Sequence, residues 1–519
     1  MSNAGSVCLP LAAFATSHEP RAISYELFRF QLICHELRST NNEQQISNYK
    51  ILKKCCSHKM INVEQIKLSD SSWPEHLHQA CISVGFGEIN ASIIEELKAR
   101  LSSAIHQIIV EFPYRDIDYS STYSLFYTKK HRRISRESLR FHFFGEKIQQ
   151  SDYFGFMTLR PSFVENRGRS HIHPKAMNKL PHIHVVSGSS NSHLLGNDFS
   201  VNSFPWMAQE TDIAVCAHVA VWSIINYFAR KYSRYKDYSI AEIATSVPGY
   251  LGRTIPSEGL NLLQISSILT NAGFYPLLLK KEVNDPQSFF QAVYAYIESG
   301  IPLVGVMTQK EHAVALIGHG PLKKNITAEH TDTLSWSVDY IDEIIISDDN
   351  DLPYTFIPRE QRHGIKYSFD DMDYIVVPLY EKMYLNANVV IERVRSLVEN
   401  GGLNIPLDTV CRPYLTSTRS LKRIAYNNKS MNDDLKILLL RLPTPQFVWC
   451  ADFISKDDFS LTVSRIIIDA TAGTFEPEPW LIYHDQEHII FYDSDEDQWY
   501  QHDVVIHPYE TYRNNLKEY

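Results

Sequence analysis

The feature that most constrains this 519-residue chain is a change of hydrophobic period beyond residue 200. Residues 185–203 are rich in Ser, Asn and Gly, the composition of a connecting loop. Helical spacing follows: Ile213 to Tyr232, a capping box at Ser239-Ile240-Ala241-Glu242, Leu260 to Ala272 closed by Gly273, and Gln287 to Glu298 closed by Gly300. The pattern then turns to short β-branched runs: Pro302 to Met307, His312 to Ile317, and Glu343 to Ile346. Helices followed by strands within one domain-sized stretch predict a layered α+β unit.

Breaks in pattern divide the chain into four regions. Residues 1–105 read as mostly helical, with an amphipathic helix at Ile93 to Leu101. Residues 106–200 read as α+β, with strands at Ile105 to Phe112 and Phe154 to Pro161. The α+β domain fills 201–380. Residues 381–519 form an α/β region with a helix at Val389 to Asn400, a Gly401-Gly402 break, and strands at Arg465 to Asp469 and His488 to Phe491. The acidic run Asp493 to Asp497 reads as a solvated turn, and Asp469-Ala470-Thr471 as a strand terminator.

Composition excludes several classes. Hydrophobic residues make up 44% and charged residues 21%, so the chain is neither disordered nor fibrous. A net charge of -10 leaves no basic surface for a phosphate backbone, and nucleic acid is not expected as a partner. No run of 18 apolar residues occurs, so no membrane span is expected. The apolar stretch Val7 to Ala15 lacks a preceding Lys or Arg and reads as a terminus rather than a signal peptide. Eight cysteines without a repeating spacing, two of them adjacent at Cys55 and Cys56, fit a reducing compartment, which makes cytoplasm the expected location. Neither a Walker loop nor G-x-G-x-x-G is present, and no cofactor is expected.

The chemistry-bearing residues lie between 209 and 350. Cys216 falls at the start of the helix predicted from Ile213, after Thr211-Asp212, which can cap it. A thiol there meets unpaired N–H groups and the positive end of the helix dipole, which favour thiolate. His312 opens a strand, and the strand through Ile344-Ile345-Ile346 ends in Ser347-Asp348-Asp349-Asn350. Neighbouring strands can bring these together as nucleophile, base and orienting group. Gln209 adds an amide donor that, with the Cys216 backbone N–H, can form an oxyanion hole. Asp349 and Asn350 compete with Asp348 for the third position, and His319 with His312, although Gly318 and Gly320 around His319 read as a turn.

The order Gln209, Cys216, His312, Asp348, with helices after the Cys and strands around the His, resembles the papain-like cysteine peptidase superfamily over roughly residues 204–380. It is most similar to the bacterial branch of bacteriocin-processing peptidases. The resemblance implies a two-lobed fold and hydrolysis of a peptide or amide bond in a protein or peptide substrate. It also implies Cys216 as nucleophile, His312 as base, Asp348 as its orienter and Gln209 at the oxyanion hole. Deamidation or acyl transfer to an amine would use the same groups. The chain departs from the pattern at Cys216-Ala217-His218, where many relatives have Gly and a small residue. It departs again at Asp348-Asp349, where the branch often has Asp-Pro, and in a Gln-to-Cys spacing one residue longer than is common. The flanking regions would shape substrate access or bind a protein partner.

Two other functions compete. A papain-like fold can serve as a non-catalytic partner-binding module. The paired histidines His171-Ile172-His173 and His182-Ile183-His184 can each present two imidazoles on one face, as a metal-dependent hydrolase requires; no Asp, Glu or Cys accompanies them, so no metal site is expected. His218 reads as a surface or packing residue, and Arg160 and Arg169 could present bases to an acidic partner or simply pair with carboxylates.

Overall fold

The computed structural model describes residues 61–519 except 162–166, 179–181, 211–212, 247–256, 258, 325–333, 401–402, 407, 474–479 and 494. Cys55, Cys56, Thr211 and Asp212 lie outside the described residues. Lys59–Ser192 and Ser200–Tyr519 form one compact unit, and His193–Phe199 fall outside it.

The first sheet is an antiparallel meander of β1 (Asn62–Lys67), β2 (Gln107–Tyr114), β3 (Ser138–Phe144), β4 (Tyr153–Leu159) and β5 (Arg167–Ile172). Helices α1 (Trp73–Ser83), α2 (Ala91–Arg100) and α3 (Ile117–Leu125) lie between its early strands. Asn90 starts α2 by accepting from the Ser92 N–H, and Asp116 starts α3 by accepting from Tyr119. Ile93, Ile94 and Leu97 form the buried stripe of α2 that the helical spacing predicts.

The stretch 185–203, expected as a loop, is instead β6 (His184–Val186) and a hairpin of β7 (Gly188–Leu194) and β8 (Asn197–Ser203). Burial in β7 alternates strictly, which places its serines at 190 and 192 on the inner face. The two-residue turn takes φ of 50° at Leu195 and 84° at Gly196, the positive values a tight hairpin needs. Small polar residues signalled loop composition, while tertiary pairing used their alternation.

Next comes the helical layer: α4 (Cys216–Lys231), α5 (Ile240–Thr245), α6 (Leu262–Asn271) and, after β9 (Tyr275–Lys280), α7 (Pro286–Glu298). The capping box at Ser239 and Glu242 is present, and Asn261 with Gln264 forms a second. The central antiparallel sheet runs β13 (Thr355–Pro358), β12 (Glu343–Ser347), β11 (His312–His319), β10 (Leu303–Met307), β14 (Tyr374–Leu379), β9. It recruits β6 beside β11, and β22 (Leu516–Glu518) pairs with β6, so strands from before and after the 201–380 stretch complete it. Gly318 belongs to β11 rather than to a turn. A Cβ there would stand 2.0 Å from the His184 carbonyl oxygen, so only glycine lets β6 approach.

Helix α4 packs on β11. Val221, Trp222, Ile224, Ile225, Tyr227 and Phe228 on it are fully buried, each worth about 1.5–3 kcal/mol in transfer free energy. Truncating Ile225 to Ala costs about 2–5 kcal/mol. Beyond α8 (Ala387–Glu399), the third sheet runs β15 (Thr409–Ser417), β16 (Phe447–Ser455), β17 (Leu461–Asp469), β18 (Trp480–His484), β19 (His488–Asp493), β20 (Gln498–Asp503), with β21 (Tyr509–Glu510) on β17. Helices α9 (Thr418–Asn427) and α10 (Asp433–Arg441) close a separate core over it with Leu435, Ile467 and Ile482. Helices and strands are therefore mixed throughout the described chain, an α+β architecture.

Candidate active site

Three local decisions bring the reactive groups together. The first is the start of α4. The helix begins at Cys216 itself, three residues later than the spacing suggests, because Glu210 and Ala214 pair through both backbone hydrogen bonds at 2.8 Å and hold Ile213 in a turn. Val215 occupies the N-cap with no side-chain hydrogen bond, so the dipole end at Cys216 carries no cap from that residue.

The second is the turn between β10 and β11. Met307 pairs with His312, and Glu311 closes the connection at φ 49°. His312 is therefore the first residue of β11, at the sheet end nearest the start of α4. The third is the end of β12. Ala315 pairs with Ser347, so the residues following Ser347 run beside the first residues of β11. Asp348 Oδ1 consequently accepts from His312 Nε2 at 3.0 Å, while Asp349 Oδ1 stands 3.9 Å from the same nitrogen. The Cys216 thiol lies near enough to His312 to favour the charged form of the ring. With Nε2 engaged by Asp348, Nδ1 is the nitrogen left to face the sulfur.

The environment is dry and electrostatically ordered. Burial opposes charge on His312, but Asp348 and Cys216 beside it outweigh that, and the imidazole is pushed up to about 10. It is therefore an imidazolium at neutral pH. Tyr367 stacks on the ring with centroids 5.1 Å apart and planes at 21°. Asp348 is 1% exposed and Asp349 3%. For Asp348, burial is overcome by the hydrogen bond to His312, which holds it below the usual carboxylate range. Asp349 moves the opposite way, raised by burial and by the charge of Asp348 beside it. Of the cysteines among the described residues, Cys81, Cys411 and Cys450 are buried and only Cys216 is partly exposed.

The loop after β12 is held by residues far away in sequence. Trp206 Nε1 donates to the Asp348 carbonyl at 2.6 Å. Arg167 donates to the Asn350 carbonyl at 3.2 Å and pairs with Glu96, which in turn accepts from the Leu352 N–H at 2.7 Å. Arg100 donates to the Leu352 and Pro353 carbonyls at 3.2 and 3.0 Å. The first sheet and α2 thus grip the loop that carries the carboxylates. Gln209 is half-buried, its carbonyl accepting from Arg160 at 3.2 Å, while Arg160 also pairs with Glu210. Among the described residues the Gln209 side chain makes no hydrogen bond to Cys216, His312 or Asp348. None of these bracing contacts has a local sequence signal, since they join residues 49 positions apart, as in Arg160 to Gln209, to 256 apart, as in Glu96 to Leu352.

The competing residues go elsewhere. His319, at the far end of β11, faces the Gly320 carbonyl with Nδ1 at 2.6 Å and Glu298 with Nε2 at 2.7 Å. His171 on the first sheet bonds Ser203 of β8, His173 caps a short turn, His182 is exposed, and His184 lies on β6 against His319. The four histidines therefore do not converge. Among the described residues, the one group of three His, Cys, Asp or Glu with donor atoms within 4.8 Å of one another is His312, Asp348 and Asp349. Within it, His312 Nε2 and Asp348 Oδ1 are already engaged with each other. Arg169 pairs with the carboxylate of Asp118, and His218 is buried in α4 rather than at the surface.

No family model, no curated protein and no solved structure matches this chain.

Proposed function

We propose that the chain is a cysteine peptidase or related thiol acyl-transfer enzyme of papain-like, two-lobed type, acting through Cys216, His312 and Asp348. The observation that carries this reading is a partly exposed thiol at a helix N-terminus, beside an imidazole whose Nε2 is fixed by a buried carboxylate and which that carboxylate and the thiol together push up to about 10. That arrangement supplies a nucleophile, a proton donor and an orienting group in one line.

In the reaction, the Cys216 sulfur attacks the carbonyl carbon of a peptide or amide, and the π electrons move to oxygen. The backbone N–H of Cys216, with the Gln209 amide as the second donor, would receive that oxyanion. Collapse re-forms the carbonyl and expels the amine, which takes the proton from His312 Nδ1. Water, deprotonated by the now neutral imidazole, releases the acyl group and returns the proton to His312. Asp348 stays ionised throughout and keeps Nε2–H directed away from the sulfur. A peptide or protein is the substrate class, and among the described residues no helix is long and apolar enough to cross a membrane.

The test is alkylation of the native protein with limiting iodoacetamide at pH 6, with modified cysteines mapped by mass spectrometry. An ordinary thiol is then only roughly 0.3% thiolate. Selective labelling of Cys216 that falls roughly 100-fold in His312→Ala supports the pair. Equal labelling in both proteins leaves a non-catalytic binding module as the better account.

A further inference from the structure

The site holds more negative charge than its single imidazolium balances. Asp348 and Asp349 are adjacent, both almost fully buried, and among the described residues His312 is the one cation that hydrogen bonds to either carboxyl. Asn350 supplies the remaining donors: its N–H and Nδ2 reach Asp348 Oδ1 at 3.1 and 3.2 Å, and Nδ2 reaches Asp349 Oδ1 at 3.4 Å. Oδ2 of each carboxyl is buried with no donor among the described residues. Two buried carboxyl groups this close cannot both ionise cheaply, and one proton shared between them satisfies both orphaned oxygens.

We propose that Asp349 is a positioning residue that carries this proton, donating its O–H to Asp348 so that Asp348 alone, as the carboxylate, orients His312. The inference rests on the Cys216–His312 reading above. Its chemistry follows from the geometry: an ionised Asp349, with Oδ1 already 3.9 Å from His312 Nε2, competes with Asp348 for the same ring N–H. The ring then loses its single orientation toward Cys216. The other titratable and charged groups around the pair are Asp351 in the same loop, Cys216 on α4, and Lys366 with Tyr367 beside His312. Arg167 on β5 and Glu96 and Arg100 on α2 meet the loop backbone rather than the two carboxyls.

The full-length protein tests this through the pH profile of Cys216 alkylation from pH 5.5 to 8.5, comparing wild type, Asp349→Asn and Asp348→Asn. An amide keeps the N–H donor but cannot ionise. Asp349→Asn is expected to match wild type within about threefold at pH 5.5 and to exceed it severalfold at pH 8.5. Asp348→Asn is expected to lose the His312-dependent reactivity at every pH. A constant ratio of Asp349→Asn to wild type across the range overturns the proposal, as does loss of reactivity in Asp349→Asn at pH 5.5 with circular dichroism unchanged. Purified wild type carrying one equivalent of zinc, whose chelation raises labelling, would also overturn it by assigning the charge balance to a metal. If Cys216 labelling never depends on His312, it is the parent reading that fails.

Discussion

Strand β11 carries a histidine at each end, and the two make opposite use of the same chemistry. Both are buried, both bond a carboxylate from another element, and both stack on or beside an aromatic ring. At His319 each ring nitrogen faces an oxygen acceptor, and Glu298 is further bound by Arg412, with Arg513 nearby. Arg412 also approaches Asp452, which is held by Arg465. Every charge there is spent on other charges, tying the central sheet and α7 to the third sheet. At His312 one nitrogen is fixed by Asp348 and the other meets a partly exposed thiol. A buried histidine becomes chemically available when one nitrogen is left for a group that can itself react, not when its partner is acidic.

The largest expected effect lies at the saturated end. Glu298→Ala removes the buried carboxylate that Arg412 and His319 share and should lower unfolding free energy by about 3–5 kcal/mol, measured by urea denaturation. His312→Ala should abolish selective alkylation of Cys216, whereas Glu298→Ala should leave it in place. If Glu298→Ala abolishes it too with circular dichroism unchanged, the contrast between the ends collapses.

A smaller effect separates the ends by pH. His184, packed on His319, is pulled down to about 3 by burial and by the His319 charge. Its folded value is below the ordinary 6.5, so the stability it contributes is present above that pH and lost as pH falls toward 3. His312 has the reverse sign: raised to about 10, it contributes stability below 6.5 that is lost as pH climbs through 10. Melting temperatures across pH should show His184→Gln flattening the acid limb and His312→Gln the alkaline limb. Identical flattening of both limbs would break the comparison.

Gly318→Ala probes the middle of the same strand. A Cβ 2.0 Å from the His184 carbonyl forces β6 away, at about 1–3 kcal/mol, and amide exchange should rise in β6 and β22 first. The smallest effect is expected from Tyr367→Leu, which removes the ring stacked on His312. Losing about 0.5–1.5 kcal/mol of ring contact should slow Cys216 alkylation by about threefold to tenfold at unchanged melting temperature.

Much of the element layout was legible from local pattern. The capping box at Ser239, the strand ending at Met307, the strand opening at His312, and the helix ending at Glu298 follow from periodicity and turn residues that act within a few positions. Legibility failed where small residues were read without their partners. Gly318 lies within β11 because of β6, and the Ser-rich stretch is a hairpin because its alternate serines are buried. The candidate site divides the same way. Cys216, His312 and Asp348 stood out because each sits at an element end that sequence marks.

By itself, then, the sequence determined which segments become helices and strands and which side chains stand at their ends, because hydrophobic period and capping are short-range. Only the tertiary structure decided that Trp206, Arg167, Glu96 and Arg100 hold the carboxylate loop, that Asp348 rather than Asp349 meets His312, and that His319 is saturated. Those outcomes depend on strand register and on buried hydrogen bonds between residues remote in the chain, where a difference of one ångström selects the partner.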